Sequence, residues 1–265
     1  MMSYRLTILG CGSSGGVPRV GNDWGKCDPA NPKNRRRRCS ALIERRGPGG
    51  VTSVLVDTGP DLREQLLSVR LQQLDAVLYT HDHADHTHGI DDLRNLVYLN
   101  RRRVPAYLDT ATRTSLEARF GYCFKGKEQQ NYPAIVDARE IEAGQPVAIT
   151  GKGGVVDALA IRQEHGEIGS LGFRFGCVAY SPDVSGLSDE AARALSGLDV
   201  WIVDALRHTP HPSHFTVKQA LAWIERLRPK RAILTHLHVD LDYDALVREL
   251  PSGVEPAYDG MQISW

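Results

Sequence analysis

The 265-residue chain has no net charge: 32 lysines and arginines stand against 32 aspartates and glutamates. Proteins that hold long nucleic acid through its phosphates carry an excess of basic residues, so no long nucleic acid is expected as a partner. Paired cysteines are also missing. Cys11, Cys27, Cys39, Cys123 and Cys177 are scattered, odd in number and never spaced C-x-x-C. That is the pattern of reduced thiols and not of a disulfide framework. No apolar run nears the roughly 20 residues needed to cross a bilayer. The opening MMSYRLTILG has no long apolar stretch behind a basic leader. No membrane partner is expected, and the cytoplasm is the expected compartment. Repeats and low-complexity tracts are lacking too. The nearest thing to a linker is the Gly-rich ITGKGGVVD at 149–157, which a hairpin turn explains equally well. One domain over residues 1–265 is expected.

Short β-rich apolar runs alternate with amphipathic segments. Residues 6–9, 41–43, 54–56, 76–79, 200–203 and 232–234 read as buried strands. Asp61 can N-cap a helix reaching about residue 69, with Leu62, Leu66 and Val69 on one face. Further helices are predicted over 90–99, 110–120, 188–195, 216–227 and 242–250, with Pro229 and Pro251 stopping two of them. Two strand-dense regions that each end in helices predict a layered α/β sandwich.

Residues 80–89 read THDHADHTHG and put four histidines and two aspartates into ten positions. The stretch follows the apolar LDAVLY, so it lies at a buried strand's end, where sheet proteins gather functional loops. It is either a metal site or a polar loop rich in histidine, and imidazole with carboxylate favours metal. In extended backbone His81 and His83 project the same way and can share one metal, while Asp85 and His86 follow as the chain turns toward a second. His88 breaks the spacing and reads as a helix-entry residue or one placed behind the ligands. Two metals need more donors. Asp57 follows VLV, His165 follows DALAIRQE, Asp183 follows CVAYSP and His236 follows RAILT. Each alone is equally a turn or cap residue; five strand-end groups together are the pattern of a site built along a sheet edge.

T-H-x-H-x-D-H, with a strand-end Asp before it and His, Asp and His after it in that order, resembles the metallo-β-lactamase fold superfamily over essentially the whole chain. The resemblance implies an α/β fold, the four-layer αββα metallo-β-lactamase sandwich, with two divalent metal ions on its edge. By position His81, His83 and His165 would hold one metal. Asp85, His86 and His236 would hold the other, Asp183 would bridge them, and Asp57 would orient the ligand loop through hydrogen bonds. Manganese and zinc are the expected metals, since such a nitrogen and oxygen site accepts either. A bridging Asp183 is closer to the hydrolases of the glyoxalase II and RNase Z branch than to lactamases with a cysteine ligand.

Three more stretches narrow the resemblance: LGCGSSGGVP at 9–18, NRRRRCSALIE at 34–44 and HPSHFTVKQAL at 211–221. With LPSGVEPAYDGMQI near the end, they resemble the PhnP-like cyclic-phosphate phosphodiesterases. The implied activity is hydrolysis of a small cyclic or nucleotide-like phosphodiester, such as phosphoribosyl 1,2-cyclic phosphate, by a hydroxide bridging the two metals. Asp85 and His214 are the expected catalytic residues; His214 can hydrogen-bond a phosphoryl oxygen or protonate the leaving alkoxide. His211 and Arg38 are the expected substrate contacts, and His208 a solvated neighbour. The Gly-rich loop reads as a phosphate cradle or, more simply, as a tight turn. Arg35, Arg36, Arg37 and Arg38 read equally as a steering patch or as a solvated turn with one or two arginines paired to acidic loops. Asp91, Asp92 and Arg94 would brace the motif by ion pairs.

One departure from the subfamily is plain. Its members can carry an extra structural zinc on a cysteine cluster and a late histidine. Here GNDWGKCDPANP holds Cys27 alone and Val239 stands at the late position, so no third structural zinc is expected. A homodimer would accord with the resemblance. The competing functions are thioester or lactam hydrolysis on the same fold, RNase Z-like RNA processing, and a non-enzymatic nucleotide or metal sensor. A missing basic arm speaks against RNA, and the complete donor set against a sensor.

Overall fold

Along each strand, burial alternates between two different cores, and that period of two makes two stacked sheets. In the computed structural model, which describes residues 3–126 and 132–265, the first seven-stranded sheet contains β1 (Ser3–Gly10), β2 (Ser40–Gly47), β3 (Gly50–Val56), β4 (Ala76–Leu78), β5 (Val104–Leu108), β6 (Val136–Glu140) and β14 (Gln262–Ser264), in the order β14-β1-β2-β3-β4-β5-β6. The second contains β7 (Pro146–Gly151), β8 (Gly154–His165), β9 (Ile168–Phe175), β10 (Val178–Ser181), β11 (Val200–Asp204), β12 (Arg231–Thr235) and β13 (Val254–Pro256), in the order β13-β12-β11-β10-β9-β8-β7.

Both sheets start as antiparallel meanders and continue as parallel strands. β1, β2 and β3 pair antiparallel, then β3 to β6 run parallel. β7 to β10 pair antiparallel, then β10 to β13 run parallel. Parallel neighbours need crossovers, and these are the helices. α1 (Leu62–Ser68) joins β3 to β4. α2 (Ala84–Thr87) and α3 (Arg94–Asn100) join β4 to β5, and α4 (Thr110–Lys125) joins β5 to β6. α5 (Asp189–Ala194), α6 (Val217–Leu227) and α7 (Tyr243–Glu249) serve the second sheet in the same way.

Ile8, Ile43, Val54, Val56 and Leu78 face Phe173, Tyr180, Ile202 and Ile233 between the sheets. Their neighbours in sequence, Leu9, Leu42, Leu55, Val77 and Tyr79, face outward under Leu62, Leu66, Leu96 and Leu116. Trp201, Val203 and Leu234 pack outward against Ala191, Val217, Ala220 and Leu246. Three apolar layers thus separate four layers of structure, the αββα sandwich. Each fully buried Leu or Ile contributes about 1.5–3 kcal/mol of transfer free energy.

All six expected strands and all six expected helices are present, with differences at their ends. The predicted helix from 110 to 120 continues to Lys125 across a kink at Phe120 (φ −125°, ψ 34°). Asp61 occupies the N-cap of α1 but makes no cap bond there; its carboxylate accepts from Arg38 N at 2.8 Å. Thr216 does cap α6, in a reciprocal box with Gln219. ITGKGGVVD is the β7–β8 hairpin, with Gly151 opposite Gly154, and Gly154 has the positive φ (103°) that the tight turn requires. Among the described residues no helix is long and apolar enough to cross a membrane.

Candidate metal centre

Parallel strands deliver their C-terminal ends to one edge of the sandwich, and that edge carries the polar cluster. Asp57 follows β3, the 80–89 motif follows β4, Asp183 lies just past β10, Asp204 ends β11 and His236 follows β12. His165 ends β8, whose hairpin with β9 reaches the same edge. Asp57 (φ 64°) and His236 (φ 57°) both adopt left-handed backbone, uncommon for residues with a side chain. Such turns end the strands abruptly and aim the side chains back across the sheet edge.

Donor atoms gather in four groups, two made of the expected ligands and two that add His214 and Asp204 to them. Those of His81, His83 and His165 lie within 4.8 Å of one another, as do those of Asp85, His86, Asp183 and His236. Asp183 stands between them. Its Oδ2 is 3.8 Å from His81 Nε2, 3.7 Å from His165 Nε2 and 3.4 Å from His236 Nε2. Its Oδ1 is 3.0 Å from His86 Nε2. Asp85 Oδ2 is 3.5 Å from His86 Nε2 and 3.6 Å from His236 Nε2. All seven expected ligands therefore meet at one locus, grouped as the family resemblance implied. His83 is the exposed member and marks the open side.

A ring of acceptors behind the imidazoles sets which nitrogen faces inward. Asp57, wholly buried, accepts from His86 Nδ1 at 2.7 Å and from Thr80 N and Oγ1 at 2.8 Å each. His165 Nδ1 donates to Ser213 O at 2.6 Å. His214 Nδ1 donates to Asp204 Oδ2 at 2.7 Å, leaving its Nε2 3.9 Å from Asp183 Oδ2. The same Asp204 oxygen accepts from Val184 N at 3.0 Å, next to Asp183 in the chain. Asp204 is the functional residue the sequence reading passed over. It directly follows the apolar run VWIV, the very signal that singled out Asp57 and His236.

The donor chemistry suits a divalent metal. His81, His86 and His236 Nε2 and Asp183 Oδ1 are buried without a hydrogen-bond partner. His86 Nε2 lies 3.0 Å from Asp183 Oδ1, and Asp183, Asp85 and Asp57 act against burial and raise the His86 imidazole, so a metal ion would take the place of a proton there. Unmet, each such atom costs about 1–3 kcal/mol. Burial pushes the His81 imidazole down and holds His165 at about 4, keeping both in the neutral form that binds metal. Burial alone would raise the Asp85 and Asp183 carboxyls. The imidazoles reverse this, His86 foremost for Asp85 and His236 foremost for Asp183, and both stay ionised.

Around this centre the readings left open are decided and the Arg38 expectation is revised. Within the Gly-rich loop, Gly12 N donates to Arg37 O, Ser13 N to Leu237 O, Gly16 N to Ser13 O and Val17 N to Arg36 O. With those amides engaged, the loop is the tight turn that its glycines suggested. The arginine run is not a uniform steering patch. Arg36 is buried and bonds Asn34 and the His238 carbonyl, and Arg37 pairs with Asp259 at 3.0 Å. Arg38 pairs with Asp61 at 3.0 Å, so the expected substrate contact is already tied to a carboxylate, and Arg35 alone of the four is exposed. His211 stands with its ring 5.0 Å from that of His214, while His208 pairs with Glu249 at 3.5 Å.

Other neighbours lie farther out. His88 is exposed, with its ring against Phe120 and not behind the ligands. Arg94 pairs with Asp91 at 2.7 Å and braces the segment after the motif. Cys27 sits with Val17, Trp24 and Val239 in a small apolar cluster. A cavity of about 320 Å³ beside His81 is lined by Asp82, Asp109, Thr112, Arg162 and Ile168.

Comparison with known proteins accords with this geometry. The model of a family described as the beta-lactamase superfamily domain matches residues 52–237, a span holding every residue of the two donor groups. The crystal structure of a new diphosphatase from the PhnP family superposes with a TM-score of 0.88 at 35% identity, covering 100% of this chain and 98% of that one. The zinc-bound PqqB of Methylobacterium extorquens superposes with a TM-score of 0.74 at 17% identity, covering 98% and 99%. At that identity the likeness speaks for the fold alone. An octanoyltransferase of Porphyromonas gingivalis is 31% identical over 261 residues, 97% of this chain and 51% of that protein. The chain spans about half the length of this curated relative.

Proposed function

The chain belongs to the beta-lactamase superfamily as a PhnP-like metallo-hydrolase, and from that premise we propose that it hydrolyses a small cyclic or nucleotide-like phosphodiester. Two divalent metal ions, manganese or zinc, would be held by His81, His83 and His165 on one side and by Asp85, His86 and His236 on the other, with Asp183 shared. One observation carries the reading: two donor groups meet around a single aspartate, and a carboxylate-backed histidine, His214, stands over it. When bound, the metals supply Lewis acidity toward a phosphoryl oxygen and a lowered pKa for water.

The protein's own residues do the rest. Asp57 fixes the His86 tautomer by accepting a hydrogen bond from its Nδ1–H, and Ser213 O does the same for His165. Asp204 accepts a hydrogen bond from His214 Nδ1–H, so His214 Nε2 is the atom that faces the reacting group. A proton on that nitrogen can pass to the leaving alkoxide; burial pushes the Asp204 carboxyl well up, and its ionisation would stabilise the imidazolium. Burial works against a charged His214 and holds its pKa down, which makes it a willing donor once protonated. His211 widens the rim beside it.

The 35% identical diphosphatase supports phosphate chemistry and raises a second substrate form, a diphosphate ester, at the same centre. The octanoyltransferase name belongs to a protein of which half lies outside the match, and it makes a thioester the control of choice. RNA processing and lactam hydrolysis complete the comparison set. The test is metal analysis plus a turnover panel with Mn²⁺ and Zn²⁺ each supplied: bis(p-nitrophenyl) phosphate, a ribose cyclic phosphate, a diphosphate ester, a thioester and a lactam. We expect two metals per chain and phosphodiester turnover, and His214→Ala should keep the metals while losing most activity. Thioester turnover without phosphodiester turnover in the metal-loaded protein would overturn the proposal.

A further inference from the structure

We infer that a groove along β8 binds an aliphatic tail of the substrate, an uncharged alkyl or acyl chain that runs from the metal centre past Arg162 to α5. This rests on the phosphodiester reading above and names the substituent that the diester would carry.

The groove exists because β8 is incompletely covered. β7 pairs with β8 only as far as Leu159, opposite Pro146. The chain ahead of β7 turns at Gly144 (φ 84°), whose N donates to Ala160 O at 2.8 Å. The strand edge is closed again at Glu164, which bridges to Gly186. Between the two closures lies a cavity of about 280 Å³, lined by Leu159, Ala160 and Ile161 and, from α5, by Ala191 and Ala194. Residues three apart share a helix face, and these two methyl groups are too short to fill the gap. Leu159 and Ala194 stay half-buried.

This cavity is continuous with the metal edge. Arg162 lines it and also lines the cavity of about 320 Å³ beside His81, so the two meet at one side chain. Arg162 pairs across the sheet with Leu171, whose N donates to Thr80 O at 2.8 Å, one residue ahead of His81. From His165 at the end of β8, the stretch from Arg162 back to Ala160 lies roughly 10–17 Å along the strand. Only an extended chain attached to the reacting group spans that distance.

The charges along the way are already matched. Asp109 pairs with Arg162 at 3.1 Å and accepts from Thr112 N at 2.9 Å. Asp82 accepts from Arg119 Nη2 at 2.9 Å and from Ser115 Oγ at 2.5 Å. A second ionic group would have to break one of these pairs, and a methylene chain would not. Glu190, exposed at the far cavity, has no ion pair among the described residues, and its carboxylate repels an anionic tail. Unfilled apolar walls lack contact partners, and each methylene laid against them also leaves water.

The test uses the manganese-loaded protein and alkyl p-nitrophenyl phosphates from methyl to octyl, each below its micelle-forming concentration. Along the series kcat/KM should rise by up to about fourfold per methylene, chiefly through KM, and level off once the groove is filled. Ala194→Phe fills the far cavity, and Leu159→Gln makes its opposite wall polar. Each should reduce kcat/KM about tenfold more on the octyl ester than on the methyl ester, with metal content retained. Calorimetric titration with octyl phosphate and methyl phosphate reads binding without turnover: the wild-type protein should favour octyl about tenfold or more, and both variants should lose that preference. A flat chain-length series, or an octyl preference that survives both variants, would overturn the inference. If no diester is turned over, the phosphodiester reading fails and the titration alone decides the role of the groove.

Discussion

Replacing Asp204 with asparagine separates a proton-relay role from a structural one. Asp204 is wholly buried, and its Oδ2 accepts from both His214 Nδ1 (2.7 Å) and Val184 N (3.0 Å). Asparagine has the same shape, and its single oxygen can keep both bonds. Its amide nitrogen then takes the place of Oδ1, which has no partner now and lies 4.0 Å from His236 Nδ1. Stability should change by no more than about 1 kcal/mol. What the amide cannot do is ionise beside His214 when the imidazolium forms. A positioned acid contributes about 10²–10⁴-fold, so phosphodiester turnover should fall by about that factor. The assay is kcat/KM on bis(p-nitrophenyl) phosphate across pH, with metal content and thermal melting on the same samples. A loss under tenfold at full metal content would refute the reasoning, as would an activity loss matched by loss of metal.

Two further perturbations probe the supports of the site. Asp57→Ala removes the acceptor of three hydrogen bonds, from His86 Nδ1, Thr80 N and Thr80 Oγ1. It should cost about 3 kcal/mol in a melt and weaken metal affinity about 10–100-fold in a chelator competition; unchanged affinity would show that His86 needs no orienting partner. Asp242 caps α7 through Ala245 N (2.9 Å) and also accepts from Asp28 N and Asn34 Nδ2 (2.6 Å). Burial opposes ionisation there, but these donors prevail and hold its carboxyl below the ordinary range. A carboxyl held down in the folded state stabilises above its unfolded pKa of about 4, and that contribution is lost as pH falls through the lower folded value. Asp242→Ala should therefore cost about 1–2 kcal/mol at pH 7. In metal-free protein its deficit should shrink at pH 3, measured by urea unfolding; an equal deficit at both pH values would contradict the assignment.

Local spacing carried most of the donor set. His81 and His83 alternate on extended backbone, and Asp85 and His86 ride the single turn of α2, so four donors lie within six residues and their relation is set by covalent geometry. Strand-end position exposed Asp57, His165, Asp183 and His236, because an apolar run that stops at a polar residue is visible without knowing the fold. Asp204 carries the same mark. It escaped because its role depends on His214, ten residues on, and nothing local ties the two together. The arginine run stayed open between two readings for a related reason. Arg36, Arg37 and Arg38 look equivalent in sequence, yet Arg36 turns into the interior while the other two meet Asp259 and Asp61. Those partners are 222 and 23 residues away.

The sequence by itself determined the two-layer alternation of burial, the crossover helices and the residue types able to bind metal. These follow from periodicities of two and 3.6 and from side-chain chemistry. The tertiary structure decided which oxygen backs which imidazole, which arginine meets which carboxylate and which loop amides are already engaged. Each of those depends on distances between segments far apart in the chain, set only when the ends of β3, β4, β8, β10, β11 and β12 come to one edge. A hydrogen bond or an ion pair is decided within a fraction of an ångström, and no pattern along the chain carries that resolution.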